Sequence, residues 1–285
     1  MHGAYLGRAD SLGWTLAKAR GIKPINRDRA AVKKAEKALR KLWVKALGQA
    51  ANLIAEQVHS ARREVGKDAA QILARIMAAI QLDGFADLFK DMVPVYEAIA
   101  RDAVAQGFRQ IAADASDEIV QQANDRAVAW ARERAAELLG RRLDADGNLV
   151  DNGRWSVDET TRERVRALVA QAEENGWSND RLADNIREAY VFSPERSDVI
   201  ARTETAFADV AGNMIAYRES GIVAGKRWIL ANHGDEKCCE DCEANVADGV
   251  IGLDDDFSTG DDAPPAHPNC RCDVIPVLAE ENDDA

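Results

Sequence analysis

All five cysteines of this 285-residue chain fall between positions 238 and 272. They read Cys238-Cys239-Glu240-Asp241-Cys242 and then, across an intervening stretch, His267-Pro268-Asn269-Cys270-Arg271-Cys272. Thiolates and imidazoles are the donors that a borderline-soft divalent ion takes, about four at a time in a tetrahedron. Cys239 and Cys242 form a CxxC pair, and His267 with Cys270 forms a matching HxxC pair. Cys272 completes the candidate set, with Cys238 as an alternative and His233 as a further spare upstream. The first reading is a structural Zn2+ that staples two loops of a module too small for a large core. With every coordination place filled by protein, such a site would be closed and non-catalytic. Two other readings stay open: disulfides between the clusters, against which a reducing cytoplasm argues, and thiols buried simply as small side chains. A redox CxxC would need a βαβ context that the surrounding pattern lacks. Asp254, Asp255, Asp256, Asp261 and Asp262 do not follow calcium-loop spacing and read as solvated acids.

Outside that cluster, only Arg202 and Glu204, with His233, Asp235 and His267 near in sequence, suggest catalysis. They would serve a metal-dependent hydrolase or a nucleotide-using transferase, such as an NAD enzyme. Two positions apart on a helix, Arg202 and Glu204 face different ways, and structural ion pairs are the favoured reading. No glycine-rich phosphate loop, nucleophile elbow or paired-acid motif is present in the sequence.

Charge divides the chain. The whole carries −12, which disfavours a protein that coats nucleic acid. Residues 1–66 nevertheless hold 14 Lys and Arg against 5 acids, whereas residues 229–285 hold only Lys237 and Arg271 against 16 acids. Such polarity predicts that the two ends meet different partners. The basic segment has few aromatics, Trp14 and Trp43 being its tryptophans, so its contact with DNA would be salt-sensitive and indifferent to sequence. No uncharged apolar run approaches the ~18 residues of a membrane span. The first 23 residues lack a continuous apolar core, so a secretory signal is not expected.

The elements that must position the cluster follow from periodicity. Glycines 3, 7, 13 and 21 with Pro24 make residues 1–25 an extended arm. Leu39, Trp43, Leu47, Ala50, Ile54, Val58 and Ala61 then step by threes and fours, one stripe of a long helix flanked by Lys33, Lys34, Lys37, Lys41 and Lys45. Leu88, Met92, Val95, Ile99 and Ala103 predict a second helix, which Pro94 should kink or start. Ile119 to Leu138 gives a third, capped by Ser116 and closed by Gly140. Asp146-Gly147 between apolar edges predicts a hairpin. Ser156 with Glu159, Ser178, and Ser193-Pro194 mark three further helix starts. Beyond Gly221 the period changes, and Lys226–Ala231 and Asp273–Leu278 read as strands, with Gly249–Gly252 as part of a turn or hairpin.

The expected fold is α+β and mostly α. An arm over 1–25 precedes an extended helical domain over 26–140 with a basic first helix, then a hairpin or linker over 141–155. Helices over 156–221 lead into a small α+β module with the Cys/His cluster over 222–278, and an acidic tail follows at 279–285.

The C-terminal half also resembles a known family. Ala201-Arg202-Thr203-Glu204-Thr205, Gly221, Lys226-Arg227-Trp228, Asp235, the Cys239–Cys242 pair, Gly249 and the closing Pro264–Cys272 string occur in the order seen in the Mu F-like phage head morphogenesis, or minor head, proteins. The resemblance covers roughly residues 160–278, and 156–278 is taken as its domain; the vicinal Cys238-Cys239 departs from the usual CPxC-like pattern. It implies a low-copy virion protein that assists head assembly from the capsid interior near the portal, after synthesis in the host cytoplasm. The implied partners are the portal protein, the major capsid or scaffold protein, and the packaged DNA; a membrane is not among them. Some relatives carry a toxin-like or transferase domain after this module. Only Ala279–Ala285 follow Leu278 here, so none is expected.

Overall fold

Helical periodicity becomes helix over most of the chain. The computed structural model describes residues 29–65, 83–113, 115–151, 157–231 and 238–279, together with Ile22, Ile25, Gln71 and Ala74. The arm over 1–25, apart from those two isoleucines, and the tail beyond 279 lie outside the described residues, as do Ser156, His233 and Asp235. Among the described residues the order is α1 (Ala30–Val65), α2 (Asp83–Gln110), α3 (Asp117–Leu138), β1 (Arg141–Leu143), β2 (Leu149–Asp151), α4 (Val157–Glu174), α5 (Asn179–Arg187), a 3-10 turn (Tyr190–Phe192), α6 (Pro194–Ser220), β3 (Val223–Ile229), α7 (Glu240–Ala247), β4 (Val250–Gly252) and β5 (Asp273–Leu278). The architecture is α+β and mostly helical, with its few strands in small sheets.

The contacts group the chain into two compact units that interleave along the sequence. One comprises residues 36–95 and 131–201. Its buried side chains include the apolar stripe of α1, where Leu39, Trp43, Leu47, Ile54 and Val58 are each at most 1% exposed, and also Leu88 and Met92, Val165 and Leu168, and Leu182 and Ile186. Pro94 lies within α2, which continues through it rather than starting there. The β1–β2 hairpin pairs Leu143 with Leu149 across an Asp146-Gly147 turn. Gly147 takes a φ of 81°, open to glycine at no steric cost, and Asp144 Oδ1 accepts from the N–H groups of Asp146 and Asn148 at 3.0 and 2.8 Å. Ser178 caps α5 through Arg181 N–H, and Ser193 accepts from Arg196 N–H at the start of α6.

The other unit comprises residues 1–35, 96–130 and 202–285. Here α6 meets α2 at backbone range: a Cβ on Gly212 would come within 2.6 Å of Ala103 Cβ, and one on Gly107 would meet Ala216 at the same distance. Only glycine permits that approach. Charges hold the same region, because Arg29 binds Asp102 at 2.6 Å and also pairs with the fully buried Asp209. Three antiparallel strands in the order β4-β3-β5 complete the unit. Pro276, which has no N–H for a ladder, sits on β5, which among the described residues pairs only with β3. Ile111, Val210, Met214 and Tyr217 pack against Val223 and Val274. The observed β3 begins and ends earlier than the expected 226–231.

Candidate metal centre

Three segments of one unit bring the donors together. The first is α7, a helix that the sequence reading missed between the two cysteine clusters. Cys239 is its N-cap: the Sγ accepts from Cys242 N–H at 3.4 Å, and Cys242 sits one turn in, buried. A helix N-terminus leaves its first N–H groups without intrahelical partners, and the Cys239 sulfur takes one of them. The second segment is the turn from His267 to Cys270, closed by a Cys270 N–H bond to the His267 carbonyl at 3.1 Å. Asn269 adopts a left-handed φ of 64°, which asparagine tolerates better than most residues. The third is the lead into β5, which carries Cys272. Trp228 and Phe257 meet edge to face beneath, with ring centroids 5.2 Å apart, and Cys242, Cys270 and Cys272 pack with them.

Two donor triads share Cys242. Cys239, Cys242 and His267 form one, and Cys242, Cys270 and Cys272 the other; within each, the ligand atoms lie within 4.8 Å of one another. Cys242 Sγ stands 3.7 Å from Cys270 Sγ and 3.6 Å from His267 Nε2. Zinc bonds of about 2.3 Å to sulfur and 2.0–2.1 Å to nitrogen, set at the tetrahedral angle, give edges of about 3.8 and 3.6 Å. Both measured edges fit. All five cysteines are free thiols, and 3.7 Å is well beyond the ~2.05 Å of a disulfide bond. His267 Nδ1 lies 2.9 Å from the Pro268 carbonyl, which can only accept. The ring proton therefore sits on Nδ1, and the Nε2 lone pair points toward Cys242, the tautomer a metal-bound imidazole needs.

The electrostatics of the cluster are those of crowded sulfur. Burial drives the Cys242 thiol pKa up. Cys270 is driven up chiefly by its hydrogen bond to Cys272, and then by burial. Cys272 moves the opposite way, to about 5, mainly because Cys270 donates to it, with help from the Ala231 backbone and the Trp228 indole. The indole N–H is buried without a hydrogen bond of normal geometry. The donor chemistry fits a charged, sulfur-rich ligand set, with the Trp228 indole aimed at Cys272 as a weak donor. Cys238, half-buried, joins neither triad; its Sγ faces the Ala231 carbonyl at 3.8 Å, and burial raises its pKa.

Of the residues considered for catalysis, His267 joins a donor triad, and Glu204 and Arg202 are held by other partners. Glu204 is buried and accepts from Tyr96 Oη at 3.0 Å. Arg202 Nη1 donates to Asn269 Oδ1 at 3.2 Å. Sequence reasoning did not single out Thr203, whose Oγ1 accepts from Asn269 N–H at 2.9 Å. It named Lys226 only in a strand and in the string that carries the resemblance, not as a buried charge; the side chain is wholly buried yet pairs with Asp262 and lies over the Phe257 ring at 5.7 Å. Asparagine at a turn between two candidate ligands was the available signal for the first; a buried lysine leaves none.

The likeness to a known family lies in the span from α4 to β5. Residues 163–275 match the Phage Mu protein F like protein family. The match to the Mu F-like family spans under half of the chain, and it contains Arg202–Thr205, both triads and most of the three-stranded sheet. No curated protein and no solved structure matches the chain. Among the described residues, no helix is long and apolar enough to cross a membrane.

Proposed function

We propose that this chain is a minor head protein of a phage, assisting head morphogenesis structurally rather than by catalysis, with a C-terminal module clipped by Zn2+ on four of Cys239, Cys242, His267, Cys270 and Cys272. The observation that carries the metal assignment is the pair of edges at Cys242, 3.7 and 3.6 Å, which match a tetrahedral S–S and S–N pair. The family match supports the head role. Bound zinc would supply bonds that hold α7 to the turn before β5, and nothing more. The chain's own residues cap, orient and shield the donors: Cys239 caps α7, Pro268 fixes the imidazole tautomer, and Trp228 with Phe257 excludes water. A catalytic zinc would keep an open place beside a general base. Against that alternative, the hydrogen bond from Tyr96 and the tie to Asn269 already occupy Glu204 and Arg202.

The protein would sit in the virion, on the capsid interior near the portal, contacting the portal and the major capsid or scaffold protein. The exposed lysines of α1, Lys34, Lys37, Lys41 and Lys45, offer it a basic face with which to dock on an acidic surface. The test is elemental analysis of the purified chain beside fractionation of assembled heads. One zinc per chain, lost in Cys270→Ser and kept in Cys238→Ser, with the chain co-purifying with portal, is the expected result. A metal-free protein whose melt ignores chelator overturns the clip. A chain absent from heads overturns the structural role.

A further inference from the structure

We infer that Thr203 and Arg202 are positioning residues for the metal-binding turn, acting through Asn269; this rests on the zinc reading above. Asn269 is the only residue of the His267–Cys270 turn with a left-handed φ, and it lies between the two donors that must converge on the Cys242 side. A left-handed residue reverses the local chain direction, and without glycine's freedom that conformation persists only where neighbours favour it. Two neighbours on α6 do so. Thr203 Oγ1 takes the Asn269 backbone N–H at 2.9 Å. Arg202 Nη1 reaches its side-chain oxygen at 3.2 Å. One bond fixes the backbone and the other the side chain, so the residue is held at two points by a single rigid element.

The geometry also ranks the two. Thr203 is 7% exposed, so losing its hydroxyl strands a half-shielded N–H at the reversal itself. The Arg202 bond is exposed to water, which replaces it at little cost. Arg202 and Thr203 are adjacent on α6, and both serve Asn269, whereas Glu204 turns away to Tyr96. That division gives the Ala201–Thr205 stretch a task without invoking chemistry at it. Outer partners of metal ligands commonly set affinity by 10- to 100-fold, because a donor held in place loses less freedom on binding.

The experiment is a zinc titration of the full chain against a chromophoric chelator, with Co2+ absorption as a second readout of tetrahedral thiolate geometry. Thr203→Val, which keeps shape and removes the acceptor, is expected to weaken zinc by about 10- to 100-fold and to lower the Co2+ d–d intensity. Thr203→Ser restores both. Arg202→Met and Asn269→Gly, which keeps the left-handed turn but lacks the side-chain oxygen, are expected to weaken zinc by about 2- to 5-fold each and not to add when combined. If Thr203→Val does not fold, Arg202→Met and its combination with Asn269→Gly decide the matter by that non-additivity. Wild-type protein that binds no zinc overturns the metal reading itself. Wild-type protein that binds zinc, with Thr203→Val within 2-fold of it and an unchanged Co2+ spectrum, overturns the positioning role alone. A variant that lowers the melt of metal-free protein while leaving affinity intact counts as the same overturning result.

Discussion

The α1 stripe and the Cys/His module bury side chains for different reasons. Along α1, Leu39, Trp43, Leu47, Ile54 and Val58 are sealed from water, and each such side chain contributes roughly 1.5–3 kcal/mol by leaving it. In the module, two aromatics, Trp228 and Phe257, are buried with three cysteines. A thiol is a small hydrophobe that adds little area, and burying Cys242 drives its pKa up rather than making it useful. A stripe of large apolar side chains holds itself together. A sulfur core of this kind gains most of its cohesion only when something converts its thiols into ligands. The comparison therefore predicts that the two regions respond to different insults.

Metal removal is the largest expected effect. Structural zinc contributes about 10–16 kcal/mol of apparent binding free energy in small zinc-dependent domains, more than a core of this size supplies. Stripping the ion with a strong chelator should raise amide exchange across β3, α7 and β5 by several orders of magnitude. Amides of α1 between 39 and 58 should keep their protection. Exchange mass spectrometry on the full chain reads both regions at once; equal deprotection in the two would break the contrast. Trp43→Ala is the converse insult and comes next. Emptying a site of zero exposure costs about 3–5 kcal/mol in such cores, so the denaturant midpoint should fall steeply while zinc stoichiometry stays unchanged.

A subtler case tests whether the module tolerates charge where α1 tolerates none. Lys226 is fully buried against Phe257, and its partner Asp262 is about half exposed. Removing the carboxylate by Asp262→Asn leaves a buried ammonium short of its counter-charge and should cost about 1–2 kcal/mol, below the 3–5 of a fully buried pair because water screens the aspartate. Lys226→Met removes the charge itself and should be near neutral, or stabilising. Chemical denaturation of both variants checks the order, and a larger loss in Lys226→Met than in Asp262→Asn would reverse the reasoning.

Where the chain's signals are local, the sequence reading met the structure closely. The three- and four-residue steps of α1, the Ser178 and Ser193 caps, the Asp146-Gly147 hairpin and the convergence of five Cys/His donors all arise from short-range chemistry. The helix α7 escaped because its eight residues carry no apolar stripe; Cys239 caps it with sulfur, not with the usual oxygen. Pro94 could be placed either at a helix start or inside one, and the long helix around it resolved that choice. The partners of Lys226, Asp209 and Glu204 were illegible for a shared reason. Each charge is buried beside a partner far away in sequence, at Asp262, Arg29 and Tyr96, and no window along the chain contains both members.

The β1–β2 hairpin belongs to neither core, and it gives the smallest effect. Asp144 is half-buried, and its pKa is held below the ordinary 3.8, first by the backbone N–H of Asn148 and further by the Asn148 side chain and the backbone of Asp146 and Gly147. A carboxylate whose folded pKa is depressed stabilises the fold fully above its unfolded value and loses that contribution as pH falls through the folded one. The hairpin should therefore be insensitive to pH above about 4 and loosen only below it, well after protons would displace the proposed metal from its thiolates. The Asn148 amide shift, followed by NMR down the pH scale, should move late and in wild type only. Asp144→Asn keeps an acceptor oxygen and removes the titration, so its Asn148 shift should stay flat through the same range. If the Asn148 amide instead moved together with metal release, hairpin and module would form one cooperative element, and the separation between self-held and ligand-held regions would fail at its most exposed point.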